Sequence, residues 1–164
     1  MYPLFTVTGT FSFSALDRDS KTGPIRTVQY YELELYTSDG ATAYLSDVAY
    51  PIRKGTMLLA RPGDRRFTEG NFSCLYVHFA CHETDFAARW LDSLPQSAIL
   101  HGSYRCEALM EKLAELFWGK SRMAEIRIES ILLELIAEFA ESAAGDDIAP
   151  KRYRVYRRQI DDTL

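Results

Sequence analysis

The sequence contains no long apolar run, few histidines and none of the common catalytic motifs. Its longest apolar stretches are a few residues, far short of the ~20 that a membrane-spanning helix needs, so we expect no membrane segment. A GxSxG nucleophile motif, an informatively spaced cysteine–histidine pair and a glycine-rich phosphate loop are all absent. Nothing in the sequence therefore calls for an enzyme, and we expect no catalytic residues.

Cysteine usage indicates the compartment. Cys74, Cys81 and Cys106 are odd in number and lack CxxC spacing. This pattern is typical of reduced, mostly buried thiols in a cytoplasmic protein. The N-terminal residues show neither a basic leader nor a small-residue cleavage site, so we expect the sequence to begin as mature protein.

Charge is unevenly distributed along the chain, whose net charge is −4. Residues 150–164 carry five basic and two acidic side chains, a balance of +3 that leaves −7 on residues 1–149. An acidic body does not attract a phosphate backbone, so we expect residues 1–149 not to bind DNA. With 164 residues and a hydrophobic content of 47%, the chain is long enough for one domain with a proper core.

The first half of the chain reads as short strands separated by turns. The segments FTVTGTFSF, VQYYELELY, ATAYLSDVAYPI, TMLLA and SCLYVHFA follow one another at spacings typical of a barrel or sandwich. No crossover helices separate these segments, so we predict antiparallel pairing. The second segment alternates between two faces: Tyr31, Leu33 and Leu35 on one, and Tyr30, Glu32, Glu34 and Tyr36 on the other. We interpret its two carboxylates as solvated surface.

The strand SCLYVHFA has one apolar face and one face with polar tips. Cys74, Tyr76 and His78 share the polar face and would suit a small-molecule pocket, because they combine a ring, a thiol and an imidazole. The alternative is that they are ordinary core or surface groups. The other face is wholly apolar and is expected to pack under helices: Leu75, Val77, Phe79 and Cys81.

A metal site is poorly supported. Such a site needs about three imidazole or carboxylate ligands, and the histidines are His78, His82 and His101. The first two lie four residues apart along one strand, about 13 Å, which is too far to share an ion. The hairpin arginines Arg65 and Arg66 are cations and cannot be ligands. We therefore expect no metal and no cofactor.

After residue 82 the pattern becomes helical. Residues 83–104 are irregular, and a first helix is predicted from about Arg105 to Gly119. A second helix is predicted over roughly 122–143. Its first apolar stripe, Ile128, Leu132, Leu135 and Phe139, would dock on the body of the protein. Its second stripe would stay exposed in a monomer and is the predicted homodimer interface, although packing on the first helix is the alternative: Leu133, Ile136 and Ala140.

Three segments in this order resemble a known family. They are YYELELY with its following glycine, YPIRKGTMLLARPG and SCLYVHF, and two helices come after them. Over roughly residues 10–145 the chain resembles the N-terminal effector-binding and dimerisation domain of AraC-family transcription regulators. The resemblance implies a cupin-like, jelly-roll antiparallel β-barrel followed by two packed helices. It also implies a small-molecule effector, often a sugar.

The same resemblance implies a division of the chain and a set of ligand-binding residues. Residues 1–104 would be the sensor barrel with its irregular connector, 105–145 the helical dimerisation region, and 146–164 the linker and start of a helix-turn-helix DNA-binding domain. Contact with DNA would then come only through that further domain. Arg66 stands where many members carry histidine, which favours a binder over a metalloenzyme; the alternative is a metal-dependent cupin oxygenase or isomerase. The predicted ligand-binding residues are Tyr76, Cys74, His78, Thr68 and Arg66.

Overall fold

The computed structural model describes residues 3–14 and 24–144. The predicted linker at 146–164 lies outside these residues. The strands are β1 (Phe5–Ser14), β2 (Arg26–Thr27), β3 (Tyr31–Tyr36), β4 (Thr42–Leu45), β5 (Val48–Pro51), β6 (Thr56–Ala60), β7 (Arg65–Glu69), β8 (Ser73–Cys81) and β9 (Ser97–Ile99). The helices are α1 (Ala87–Ser93), α2 (Tyr104–Trp118) and α3 (Ala124–Ala144).

The strands form two separate sheets. One has five strands in the order β1-β8-β3-β6-β9, and the other has four in the order β2-β7-β4-β5. Every strand pairing among the described residues is antiparallel. The predicted class, antiparallel sheets followed by helices, is confirmed. The predicted jelly-roll barrel takes the form of two stacked sheets that do not close into a barrel, because no hydrogen-bonded strand pair among the described residues joins them.

The molecule has three layers, with the five-stranded sheet in the middle. On β3, Leu33 and Leu35 point into a core shared with the helices, as the predicted alternation requires. The apolar face of β8 packs into the same core through Val77 and Phe79. The opposite faces of both strands look into a second, smaller core against the four-stranded sheet, where Tyr36 is fully buried. Both faces of the middle sheet are therefore covered.

The segment predicted to be irregular contains a short helix and a strand, α1 and β9. The first turn of α1 is held by the carboxylate of Glu83, which accepts hydrogen bonds from the backbone of Phe86 at 2.9 Å and of Ala87 at 2.5 Å. The side chain of Arg61 donates to the carbonyl of Leu94 just after the helix. A local cap from Glu83 and a long-range contact from Arg61 thus stabilise a helix of seven residues, which is too short to show a clear apolar period.

The two longer helices agree with the prediction within two residues, and none of the helices among the described residues is long and apolar enough to cross a bilayer. On α3, Leu132, Leu135 and Phe139 are buried in the helix–sheet core, as expected for the first stripe. Ile136 of the second stripe is also buried there, which corrects the expectation that it stays exposed in a single chain. Leu133 remains exposed.

Two adjacent leucines on α3 offer a matched test of this packing. Replacing the buried Leu132 by alanine should lower the free energy of unfolding by about 2–5 kcal/mol, because it leaves a cavity in the core. The same change at the exposed Leu133 should stay within about 0.5 kcal/mol in the monomer. Urea unfolding at low protein concentration measures both changes. Equal losses of stability in the two variants would contradict the burial of Leu132 and the exposure of Leu133.

Candidate functional site

Polar side chains from both sheets meet between the layers. Glu32 and Glu34 of β3 face Arg66 and Thr68 of β7, and all four are buried. Such groups are normally found at the surface, because removing a charge from water is costly unless it is paired. Their presence in the interior makes this cluster the candidate site.

A tight turn directs Arg66 inward. The backbone amide of Asp64 donates to the carbonyl of Arg61 at 3.0 Å, closing a turn with Pro62 and Gly63 at its centre. Gly63 has φ +94°, the left-handed value that a type II turn requires at this position and that favours glycine. In the strand that follows, Arg65 is exposed and Arg66 is buried.

Arg66 joins the two sheets through its guanidinium. It donates to Glu32 Oε2 at 2.9 Å and to Glu34 Oε2. The same group lies 3.5 Å from the hydroxyl of Tyr36, which is in turn 3.2 Å from Thr68 Oγ1. The arginine therefore balances two buried carboxylates at once and is itself shielded from water.

Glu32 is also held by a second arginine. Arg26 of β2 donates to its two carboxylate oxygens at 2.5 and 2.8 Å. Burial alone would raise the pKa of Glu32, but the hydrogen bonds from Arg26 and the charge of Arg66 bring it below its usual value. Glu32 is thus a carboxylate shared by two cations, one buried and one partly exposed.

His78 brings an unsatisfied atom to the cluster. Its Nε2 lies 3.1 Å from Glu32 Oε1, but the geometry is not that of a hydrogen bond, and this buried nitrogen has no hydrogen-bond partner among the described residues. Burial lowers the pKa of His78 below its usual value, and this outweighs the opposite effect of Glu32. The imidazole is therefore neutral at pH 7, with an unused hydrogen-bonding position.

Aromatic rings form a wall beside the cluster. Tyr76 stacks on Phe11 of the neighbouring strand with ring centroids 5.1 Å apart, and its ring is 5.3 Å from that of His78. Gly9 makes room for this arrangement, since a side chain there would lie 2.6 Å from the Phe11 ring. A flat apolar wall next to buried polar groups is typical of sites for small polar molecules.

Cys74 lies deeper in the same space and is not equipped as a nucleophile. Burial raises the pKa of its thiol, and the neighbouring carboxylate of Glu34 raises it further. Nucleophilic cysteines have lowered pKa values, because the thiolate is the reactive form. The role of Cys74 in the site is therefore one of packing and weak hydrogen bonding.

The structure brings together all of the residues predicted to bind a ligand, and their binding role stays a prediction. Sequence reasoning missed Glu32 and Glu34, which are buried instead of solvated, and it missed Arg26. The available signal was that the two glutamates share the face of β3 opposite its leucines. It was not sufficient, because a single strand does not show that a second sheet covers that face. The predicted residues that line the interior are Tyr76, Cys74, His78, Thr68 and Arg66.

The carboxylates in this cluster are already paired with arginines. Within residues 3–14 and 24–144, no group of three or more histidine, cysteine or acidic side chains is placed to hold a metal ion. The cluster can therefore bind a ligand through hydrogen bonds from arginine, tyrosine, threonine and imidazole side chains and through ring stacking.

An open cleft lies elsewhere, on the outer face of the four-stranded sheet. It has a volume of about 540 Å³ and contains the stacked pair Tyr44 and Phe67. Arg65 and Phe67 line it because they alternate along β7 with the inward-facing Arg66 and Thr68. None of its lining residues is a buried polar group. We therefore assign the site to the interior cluster and not to this cleft.

Comparison with known proteins identifies distant structural similarities. No protein-family model matches the chain, and no curated protein matches it. Apo ToxT from Vibrio cholerae aligns over 86% of this chain and 60% of its own at 10% identity, with a TM-score of 0.44. The cupin domain of Cnp3 from Schizosaccharomyces pombe aligns over 52% and 74% at 8% identity, with a TM-score of 0.34.

A conserved Streptococcus pyogenes protein of unknown function aligns over 46% of this chain and 77% of its own at 11% identity, with a TM-score of 0.36. ToxT has also been crystallised with an unsaturated fatty acid bound. At these identities, and with TM-scores below 0.5, the alignments establish neither a family nor a function for this chain.

The burial of His78 predicts a pH dependence of stability. Its folded pKa is lower than the ordinary 6.5, so the unfolded chain takes up the proton first. The stabilising contribution is complete above about pH 6.5 and is lost as the pH falls towards the folded pKa. Urea unfolding at about pH 7.5 and about pH 5.5 should show wild type losing stability, and His78→Asn losing less.

The exposed His101 supplies the control, since His101→Asn should keep the wild-type dependence. The lowered pKa of Glu32 acts in a separate, more acidic window, below its usual 4.5. A wild-type slope that survives in His78→Asn would contradict the assignment.

Proposed function

We propose that this chain is the effector-binding and dimerisation domain of an AraC-type transcription regulator. The proposal is supported by the sequence resemblance over roughly residues 10–145. One structural observation carries it: buried hydrogen-bonding side chains from two sheets meet between the layers beside an aromatic wall. The ligand is proposed to be a small polar molecule, and carbohydrate is the class that the resemblance implies.

The energetics of the cluster support a role in binding. Well-packed apolar residues in place of a buried ion network are often as stabilising or more so, because desolvating charges offsets their attraction. Apolar residues in place of Arg66, Glu32 and Glu34 together would therefore be as stable, so stability alone does not explain why the interior contains this network. A ligand hydroxyl would in addition supply the hydrogen bond that His78 Nε2 lacks.

The proposal assigns no catalytic residue. Glu32 and Glu34 accept hydrogen bonds from arginines, so neither is a free general base. Cys74 is a buried thiol with a raised pKa. In the proposed regulator, contact with DNA belongs to a further domain, because residues 1–149 carry a net −7 and repel a phosphate backbone.

A thermal-shift screen tests the ligand site. A panel of monosaccharides, small carboxylic acids and an unsaturated fatty acid covers the carbohydrate class and the ligand class of ToxT. A true effector at about 100 times its Kd adds about 2.7 kcal/mol of stability, which is several degrees in Tm. Tyr76→Ala should abolish the shift, because it removes the stacking wall.

Tyr44→Ala is the matched control, since Tyr44 is also a stacked strand tyrosine but lies on the outer face of the other sheet. It should leave the shift unchanged. If Tyr44→Ala abolishes the shift and Tyr76→Ala does not, the ligand occupies the outer cleft and the assignment of the site is wrong.

Dimerisation through α3 is the second part of the proposal. Because Ile136 is buried within one chain, the exposed apolar contacts are Leu133 and the half-buried Ala140, extended towards the start of the helix by the exposed Ile126. Ile126 and Leu133 are seven residues apart and so lie on one side of the helix. Burying one such side chain contributes about 1.5–3 kcal/mol to the free energy of association. In a two-fold symmetric contact, both chains bury their copy of each residue.

Leu133→Glu should shift the protein from dimer to monomer, because it places a charge in the contact. Light scattering over a concentration series measures the change. Val48→Glu is the control, since Val48 is a similarly exposed apolar residue on the four-stranded sheet. A wild-type protein that is monomeric at about 100 μM would contradict the dimer, because its free energy of association would then be weaker than about −5.5 kcal/mol.

A further inference from the structure

The exposed fraction of the side chains between the two sheets increases towards one edge. Deep in the cluster, Glu34 and Cys74 are almost completely buried. Nearer the edge, the side chain of His78 is 21% exposed, that of Arg26 is 42% exposed, and Phe11 is 43% exposed. Arg26 and Phe11 belong to β2 and β1, each of which is the edge strand of its sheet. The interior is therefore partly exposed to solvent between these two edges.

Arg26 is the removable member of the ion network. It lies on a strand of only two residues, which within residues 3–14 and 24–144 pairs with β7 alone. Its guanidinium makes a bidentate hydrogen bond to the carboxylate of Glu32 and interacts electrostatically with Tyr76 and His78. If its guanidinium turns out to solvent, Glu32 keeps the buried Arg66 as its counter-ion. Arg66 has no such freedom, because its departure would leave the buried Glu34 without a counter-ion and Glu32 with the partly exposed Arg26 alone.

We propose that Arg26 controls access to the interior cluster, and that a ligand enters between β1 and β2 when the Arg26–Glu32 pair opens. This proposal rests on the ligand site proposed above. The displaced guanidinium is left with unpaired donors at the opening, so it favours ligands that present acceptor oxygens to it. Phe11, Tyr76 and His78 form the opposite wall of the same opening.

The thiol of Cys74 reports this opening without any ligand. Methyl methanethiosulfonate, a small uncharged reagent, converts an accessible thiol to a methyl disulfide, and peptide mass spectrometry reads each cysteine separately. Cys106 is buried in the helix layer and reports global unfolding in the same sample. In Arg26→Gln, Cys74 should react roughly tenfold faster than in wild type, while the rate at Cys106 stays unchanged.

Two further measurements make the experiment decisive. Arg65→Gln, on the outer face of the adjacent strand, should leave the rate at Cys74 unchanged. In wild type, raising NaCl from ~0.05 M to ~1 M should speed labelling of Cys74 but not of Cys106, because salt screens the partly exposed pair. This arm does not require the variant to fold.

Unchanged labelling of Cys74 in Arg26→Gln and in high salt would overturn the proposal. So would a parallel rise at Cys74 and Cys106, since Arg26 would then act on global stability. The result is separate from the effector screen. Selective opening with no effector found leaves Arg26 as the access residue and counts against the proposed function. If an effector is found, its binding is insensitive to Arg26→Gln and the labelling of Cys74 is unchanged, the proposed function is supported and the access role of Arg26 is overturned.

Discussion

The rest of the structure depends on one arginine that bridges two sheets. Arg66 places a guanidinium between Glu32 and Glu34, away from water. Each of these ions loses several kcal/mol of hydration, so the arrangement persists only if the three charges meet. A one-residue slip of β7 that brought Phe67 to the position of Arg66 would leave the buried Glu34 without a counter-ion. The ion network therefore favours the observed register of β7. It also joins the four-stranded sheet, which the helix-side core does not contact, to the five-stranded sheet.

This arrangement separates stability from the candidate site. The helices bury the apolar face of the middle sheet, and the large fully buried side chains of α3, Leu132, Leu135 and Phe139, belong to that core. The polar residues lie on the other face of the same strands, because side chains on a strand alternate. Changes in the polar cluster can therefore alter what is bound without removing the apolar contacts that hold the helices in place.

Alternation and turn chemistry made much of this predictable from the sequence. The two faces of β3 and β8 and both long helices follow from local patterns and were confirmed. The burial of Glu32 was not predictable, because it depends on a partner sheet far along the chain. Arg26 was missed because β2 has two residues and shows no period. Ile136 was misplaced because two neighbouring stripes on one helix can both be buried when it packs in a corner between a sheet and another helix.

The charge balance of the cluster limits the chemistry that it can perform. Two buried carboxylates require positive charge, which a metal ion supplies in many sites. Here Arg66 supplies it from within the chain, and Arg26 completes the balance while His78 stays neutral. The cluster therefore needs no bound cation to be complete. A charged ligand would disturb that balance unless Arg26 or His78 changed its state, whereas an uncharged, hydroxyl-bearing ligand exchanges hydrogen bonds only. Because a neutral group is far cheaper to bury than an unpaired charge, the interior favours the uncharged ligand.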